Sequence, residues 1–424
     1  MVIGFRPNPF PEEQGDNILI QKEKIKENDM ILAENEYYDM DCFKTKLNNN
    51  IIIVGTSGAG KTRSIIIPNI LQAIGSYLIS DPKGVLYNRY HTHLEKHGYE
   101  TKILSFVNFS STFTSNTYNP FSYIHNEQDI LKISHILVGQ IECSSDHFWE
   151  YSSEVLLSSL ISYMMEAVKE ENRTLSTLLT LVGYCKKDDT CSRMDVLMQK
   201  LKQKNINSFA VKQYEKINTA PSKTYDCIVA TINAKLGMLD SLQVRNILKN
   251  NSFSFSELGQ RKMAIFVVVS DMDRSLDKLA NLFFTQALQE LCLYADTQCE
   301  DFALPVPVRF ILDDFATNVA IDDFPRTISS IRSRNISCIL AIQSESQLTN
   351  YYGENGNTVI TNCDTYIYMG GNDVTTAAEV ARRTDMSIKE IMALEVGHNI
   401  LFRRGSLPKF CKNYDLSHYP KDIN

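Results

Sequence analysis

Short aliphatic runs, each closing on a polar or glycine-rich turn, recur along this chain. Residues 51–54, 76–80, 264–269, 308–312, 337–342, 365–369 and 399–402 are nearly unbroken in hydrophobicity and too short for helices. Such runs predict strands buried on both faces. Helical stretches separate them, so the pattern predicts an α/β fold whose sheet is mostly parallel and covered on both sides. Between 126 and 250 the period changes. Apolar residues there fall at i, i+3 and i+4, as in Ile130, Ile133 and Leu137 or Val155, Leu156 and Leu160, and predict an inserted all-alpha domain. Residues 1–50 are polar, with proline and asparagine clusters at 7–11 and 48–50, and read as an extended lead-in. The expected division is a discontinuous domain, 51–125 with 251–424, around the insertion at 126–250.

The first strand runs into Gly55-Thr56-Ser57-Gly58-Ala59-Gly60-Lys61-Thr62, a complete phosphate-binding loop. Gly55 and Gly60 let the backbone curl until successive N–H groups point inward at an anion. Lys61 is placed for the β and γ phosphates, and Thr62 offers a hydroxyl to Mg²⁺. The helix that follows directs its N-terminal dipole at the same charge. ATP and Mg²⁺ are therefore the expected ligands, and the discontinuous domain is expected to be the nucleotide-binding one.

A second constellation, Arg309-Phe310-Ile311-Leu312-Asp313-Asp314, is a strand ending in two acids. Beside a phosphate loop, Asp313 is placed to hold Mg²⁺, and Asp314 to orient or deprotonate the attacking water. The strand at 337–342 ends in Gln343, where a polar side chain can meet a γ-phosphate or the lytic water. Arg332 and Arg334 lie just upstream, on what should be a helix. Either is suited to serve a neighbouring subunit as a charge-stabilising arginine, although solvated helix arginines are commoner.

Composition narrows the class. With 424 residues, 43% hydrophobic and 22% charged, the chain can build a large core. Its net charge of −7 means that nucleic-acid contacts must come from local basic stripes. Lys200, Lys202, Lys204, Lys212 and Lys216 form one such run, which more often is a solvated helix face. The ten cysteines include no C-x-x-C pair, which excludes the standard zinc modules. His93 and His97 share the i, i+4 spacing of metal sites, with His91 nearby, but lack a third ligand and read as a solvated face. Phe148 and Trp149 suit either base stacking or packing at the domain junction. No apolar run approaches the ~18 residues of a membrane span, so a cytoplasmic protein is expected, held at the membrane through a partner.

The motifs in order resemble the TraG/VirD-type coupling proteins of conjugative type IV secretion systems. Besides the phosphate loop they include Asp81-Pro82-Lys83-Gly84, Asn119-Pro120-Phe121, Phe148-Trp149, Leu312-Asp313-Asp314-Phe315-Ala316, Gln343-Ser344 with Gln347-Leu348, Gly370-Gly371-Asn372-Asp373 and Arg403-Arg404-Gly405. The resemblance runs from about residue 50 to residue 419. It implies a RecA-like P-loop ATPase, active as a homohexamer, that brings relaxase-bound single-stranded DNA to a type IV secretion channel. It also implies that Arg332 is the trans-acting arginine finger, that Gln343 is the sensor, and that the helical insertion meets cargo and DNA. Three departures stand out. The family's usual pair of transmembrane helices is missing, so a membrane anchor protein is an expected partner. Asp314 replaces the usual Glu and implies slow hydrolysis. The stretch between Asp373 and Ile388 looks shorter than in many relatives. A rival reading is a nucleotide-dependent docking receptor for the relaxase complex with weak or no hydrolysis. A chromosome-partitioning or DNA-packaging motor would leave the patterns at 119–121 and 343–348 unexplained.

Overall fold

The computed structural model describes residues 25–107, 115–139, 148–188 and 191–419. Its centre is a nine-stranded sheet. In chain order the strands are β1 (Ile51–Val54), β2 (Ser76–Pro82), β3 (Glu100–Ser105), β4 (Met263–Val269), β5 (Val308–Leu312), β6 (Ile336–Ile342), β7 (Thr365–Tyr368), β8 (His398–Arg403) and β9 (Lys409–Lys412). Across the sheet they run β9-β8-β7-β1-β6-β5-β2-β4-β3. All pairings from β7 to β3 are parallel, whereas β8 and β9 close the other edge antiparallel.

Each central strand divides its side chains between two cores. Ile52, Val54, Leu78, Phe310 and Leu312 face one side, while Ile51, Ile53, Tyr77, Ile79 and Ile311 face the other. Burial on both faces is what their unbroken hydrophobicity demands. β3 and β9 were not legible from the sequence because they are edge strands. Edge strands tolerate charges such as Glu100, Lys102, Lys409 and Lys412, which break the apolar run.

Of the expected lead-in 1–50, residues 1–24 lie outside the described residues, and 25–50 are more than extended chain. Asp29–Ala33 and Glu36–Asp39 form an antiparallel hairpin, and Cys42–Thr45 a helical turn capped by Asp41. The hairpin is docked on the helix Ile67–Leu71: the Asn69 side chain accepts from the Ile31 N–H at 3.2 Å and donates to the Ile31 carbonyl at 2.8 Å. Its apolar run, Met30 to Ala33, is only four residues long and is swamped by polar neighbours in the sequence.

Between β3 and β4 the chain leaves the sheet for helices Glu127–Val138, Phe148–Ala167, Leu175–Gly183, Arg193–Lys204, Phe209–Asn218, Ser222–Gly237 and Leu242–Ile247. The longest is buried at its middle despite its serines. Ser153, Ser158 and Ser159 hydrogen-bond back to carbonyls of the preceding turn at 2.7–2.8 Å, which satisfies the hydroxyls inside the core. Exit and return lie side by side. Ser252 N–H donates to the Thr117 carbonyl at 3.0 Å, and Thr117 N–H to Ser252 Oγ at 2.9 Å. Tyr118, Phe253 and Phe255 pack there around Phe283 of the helix Asp277–Gln298, edge-on or tilted. Asn119 secures the neck by capping Phe121 and donating to the Arg173 carbonyl at 2.8 Å. No helix among the described residues is long and apolar enough to cross a membrane.

Candidate nucleotide site

Strand register gathers most of the sequence candidates at one edge. β6 lies between β1 and β5, with Ile342 level with Val54 and Leu340 level with Leu312. Gly55, Gln343 and Asp313 therefore emerge side by side at the C-terminal ends of the strands, where open parallel sheets take ligands. The loop 55–62 is tied to both neighbours: Gly55 N–H donates to the Ile342 carbonyl and Thr56 N–H to that of Gly370, each at 3.1 Å. A Cβ at position 55 would meet Met369 Cβ at 3.0 Å, and Gly60 has φ +96°, so both glycines are required where they stand. After the loop comes a wide turn, Thr62–Ile66, in which Ile67 N–H reaches back to the Thr62 carbonyl. Pro68, which has no N–H to continue an ordinary ladder from Ser64, accounts for that widening.

Lys61 is buried, and its ammonium donates to the Gly55 carbonyl at 2.6 Å and the Thr56 carbonyl at 3.2 Å. Burial pushes it below the usual lysine range, against the opposing pull of Asp314 and Asp313. Carbonyl dipoles do not neutralise a full charge, so the arrangement fits phosphate oxygens. Thr62 Oγ1 donates to Asp313 Oδ2 at 2.6 Å. Burial raises the Asp313 carboxyl, and the Thr62 hydroxyl opposes that rise. These two hard oxygens fit Mg²⁺. Asp314 follows at φ +53° and Ala316 at +60°, a tight left-handed turn in which aspartate is among the better tolerated residues. Gln343 is exposed beside the loop, its N–H held by Gln347 Oε1 at 2.8 Å.

Two side chains support this edge in ways that the sequence pattern does not reveal. Ser80 Oγ accepts from Asp313 N–H at 2.8 Å and donates to the Asp313 carbonyl at 3.1 Å, clamping the acid strand to β2. Asp81, fully buried, accepts from the N–H groups of Leu86 at 3.0 Å and Tyr87 at 2.8 Å and so starts the helix Val85–Lys96. Burial pushes its carboxyl up to about 6, against the lowering effect of those N–H donors. A carboxyl raised in the folded state adds stability that is full below its unfolded pKa near 3.8 and lost as pH rises through about 6. The loss is on the order of 2–3 kcal/mol. Asp81→Asn keeps an acceptor without the buried charge. Urea midpoints from pH 4 to pH 7 are expected to fall less for this variant than for the wild type, and parallel curves would refute the assignment.

Arg332 stands elsewhere. Arg332–Arg334 is a single helical turn leading into β6, at the sheet edge opposite Lys61, and not the helix that the sequence suggests. Arg334 is engaged by both carboxylate oxygens of Asp296 at 2.8 Å. Arg332 is exposed and donates to the Cys42 carbonyl at 3.1 Å, so within one chain it does not join the phosphate site. The histidine reading is corrected: His93 is buried, with Nε2 bonded to the Leu71 carbonyl at 3.0 Å, because that helix packs on Ile67–Leu71. No metal-binding cluster of His, Cys, Asp or Glu exists among the described residues. The five lysines are exposed, with Lys202 paired to Glu215. Trp149 packs against the core, and Phe148 is half exposed and edge-on to it at 5.1 Å.

A family model described as type IV secretory system conjugative DNA transfer matches residues 12–388. Among curated proteins none matches in sequence. The bacterial conjugative coupling protein TrwBdeltaN70, in a trigonal form with sulphate, superposes with a TM-score of 0.66 at 14% identity, over 86% of this chain and 85% of that one. The plasmid coupling protein TrwB in complex with ADP and Mg²⁺ gives 0.66 at 12% identity over 93% and 91%. VirB4 of Thermoanaerobacter pseudethanolicus gives 0.55 at 12% identity over 92% and 97%. At these identities the likeness establishes the fold, which is that of a RecA-like P-loop NTPase.

Proposed function

Since this chain belongs to the conjugative DNA transfer family of type IV secretory systems, we propose that it is an ATP-driven coupling protein that brings relaxase-bound single-stranded DNA to the secretion channel. The observation that carries this reading is the convergence of Lys61, Thr62, Asp313 and Asp314 at one sheet edge. Lys61 and the N–H groups of residues 55–62 hold the β and γ phosphates. Thr62 and Asp313 hold Mg²⁺, which when bound neutralises charge on the phosphates. Asp314 accepts the proton of the attacking water, and Gln343 orients it. The TrwB complex with ADP and Mg²⁺ supports the ligand assignment.

Arg332 supports a ring. An exposed arginine at the edge opposite its own phosphate loop serves catalysis by reaching a neighbour's, as in a homohexamer. Mixing Arg332→Ala chains with Lys61→Ala chains is expected to restore part of the hydrolysis, because some junctions then pair an intact loop with an intact finger. If mixed oligomers form and stay inactive, Arg332 has no such role. The helical insertion is the proposed cargo face, and a membrane anchor protein the proposed tether at the inner face of the membrane.

The rival is a docking receptor that hydrolyses slowly or not at all. Asp314, one methylene shorter than glutamate, favours it. Steady-state hydrolysis with and without single-stranded DNA decides: stimulation supports the motor, and nucleotide binding without turnover supports the receptor.

A further inference from the structure

Lys83 follows β2 at the same edge. It has φ +72°, and Gly84 after it has +71°, so two successive left-handed residues turn the chain away from the sheet. Lysine gains nothing locally from that conformation. Its ammonium is 2.7 Å from Asp271 Oδ2, on the loop that follows β4. β2 lies between β4 and β5, with Pro82 level with Val269 and Ser80 level with Leu312, so Lys83 emerges between Asp271 and the Asp313-Asp314 turn. Asp271 chiefly, and Asp314 to a lesser extent, hold its ammonium above the usual lysine range.

The loop 270–276 is a braced unit. Ser270 Oγ accepts from the N–H groups of Met272 at 3.1 Å and Asp273 at 2.8 Å, and Asp273 Oδ1 accepts from that of Ser275 at 3.0 Å. Arg274 ties it to the Asp314 turn by donating to the Thr317 carbonyl, while Thr317 N–H returns to the Asp314 carbonyl at 3.2 Å. Its other side faces the insertion. Ser270, Asp273 and Leu276 line a cavity of about 650 Å³ whose opposite wall includes Met238, Val244 and Lys249. One short loop thus meets the phosphate edge through Lys83 and Arg274 and faces the helical insertion across this cavity.

We propose that Lys83 is a positioning residue that couples the phosphate site to the insertion, its ammonium passing from Asp271 to the negative charge gathered beside Asp314 when a nucleoside triphosphate binds. This rests on the nucleotide-binding reading above. Bound triphosphate adds charge at the Asp314 side, weakens the hold of Lys83 on Asp271 and frees the loop. An exposed pair adds little stability, so its removal leaves the fold intact.

The test is hydrogen exchange at the amides of residues 270–276, with and without a non-hydrolysable ATP analogue and Mg²⁺, with analogue binding titrated on the same samples. In the wild type the analogue is expected to speed exchange there about threefold, the mark of a locally released segment. Lys83→Ala is expected to bind the analogue yet exchange fast in both states. Asp271→Asn should behave alike, and the double variant should add nothing. Lys83→Arg should keep the response. Wild-type binding with no change in exchange, or a Lys83→Ala chain that keeps the wild-type response, overturns the coupling while leaving the nucleotide site standing. A wild type that binds no analogue overturns both.

Discussion

Lys61→Ala is expected to abolish hydrolysis and weaken nucleotide binding by at least about a hundredfold, or about 2.7 kcal/mol. The reason is geometric. Lys61 lies buried within the loop, its ammonium resting on two carbonyls, and within 55–62 it is the one residue that carries a full positive charge. Phosphates replace those carbonyls with charge-assisted contacts, and alanine offers none. The variant gives up two hydrogen bonds but also a buried charge, so its unfolding midpoint should stay near that of the wild type. Titration with a fluorescent ATP analogue, alongside circular dichroism to confirm folding, checks both. Wild-type binding and turnover in the variant would mean that residues 55–62 are not the working site.

Asp314→Asn is expected to lower turnover by about a hundredfold or more, the usual weight of a general base, while nucleotide affinity stays within a few-fold. The backbone makes this a clean comparison. At φ +53° asparagine is as well tolerated as aspartate, so the substitution removes charge without disturbing the turn. Asp314→Glu asks the opposite question. If the shorter acid stands too far from the attacking water, glutamate should raise turnover up to about tenfold, or about 1.4 kcal/mol, although the left-handed position suits it less. A glutamate variant slower than wild type would show a site built around aspartate. An asparagine variant that hydrolyses normally would remove Asp314 from catalysis.

The sequence displayed what depends on local pattern. Two-sided burial forces continuous apolar runs, so the central strands were legible, and a phosphate loop demands glycines at fixed spacing, so Gly55 to Thr62 were too. What stayed hidden depends on partners distant in the chain. Ser80 matters only because strand order sets β2 beside β5, and Asp81 only because a helix turns back onto it. The hairpin at 29–39 needs Asn69 to hold it, and His93 needs the Leu71 carbonyl. Arg332 was found by order along the chain, but only the fold reveals that it stands at the sheet edge opposite its own phosphate loop.

The neck at Thr117 and Ser252 bears on how the molecule assembles. β3 and β4 are neighbours in the sheet yet far apart in sequence, and joining them directly would require closing a very long loop. The insertion between them is helical, and the backbone hydrogen bonds of helices are local and form quickly. Once folded, it holds Thr117 against Ser252 and shortens the effective loop to a tight connection. Substitutions that loosen the Phe283 cluster at the neck are therefore expected to slow refolding more than they weaken nucleotide binding, a comparison that stopped-flow refolding and titration with an ATP analogue make.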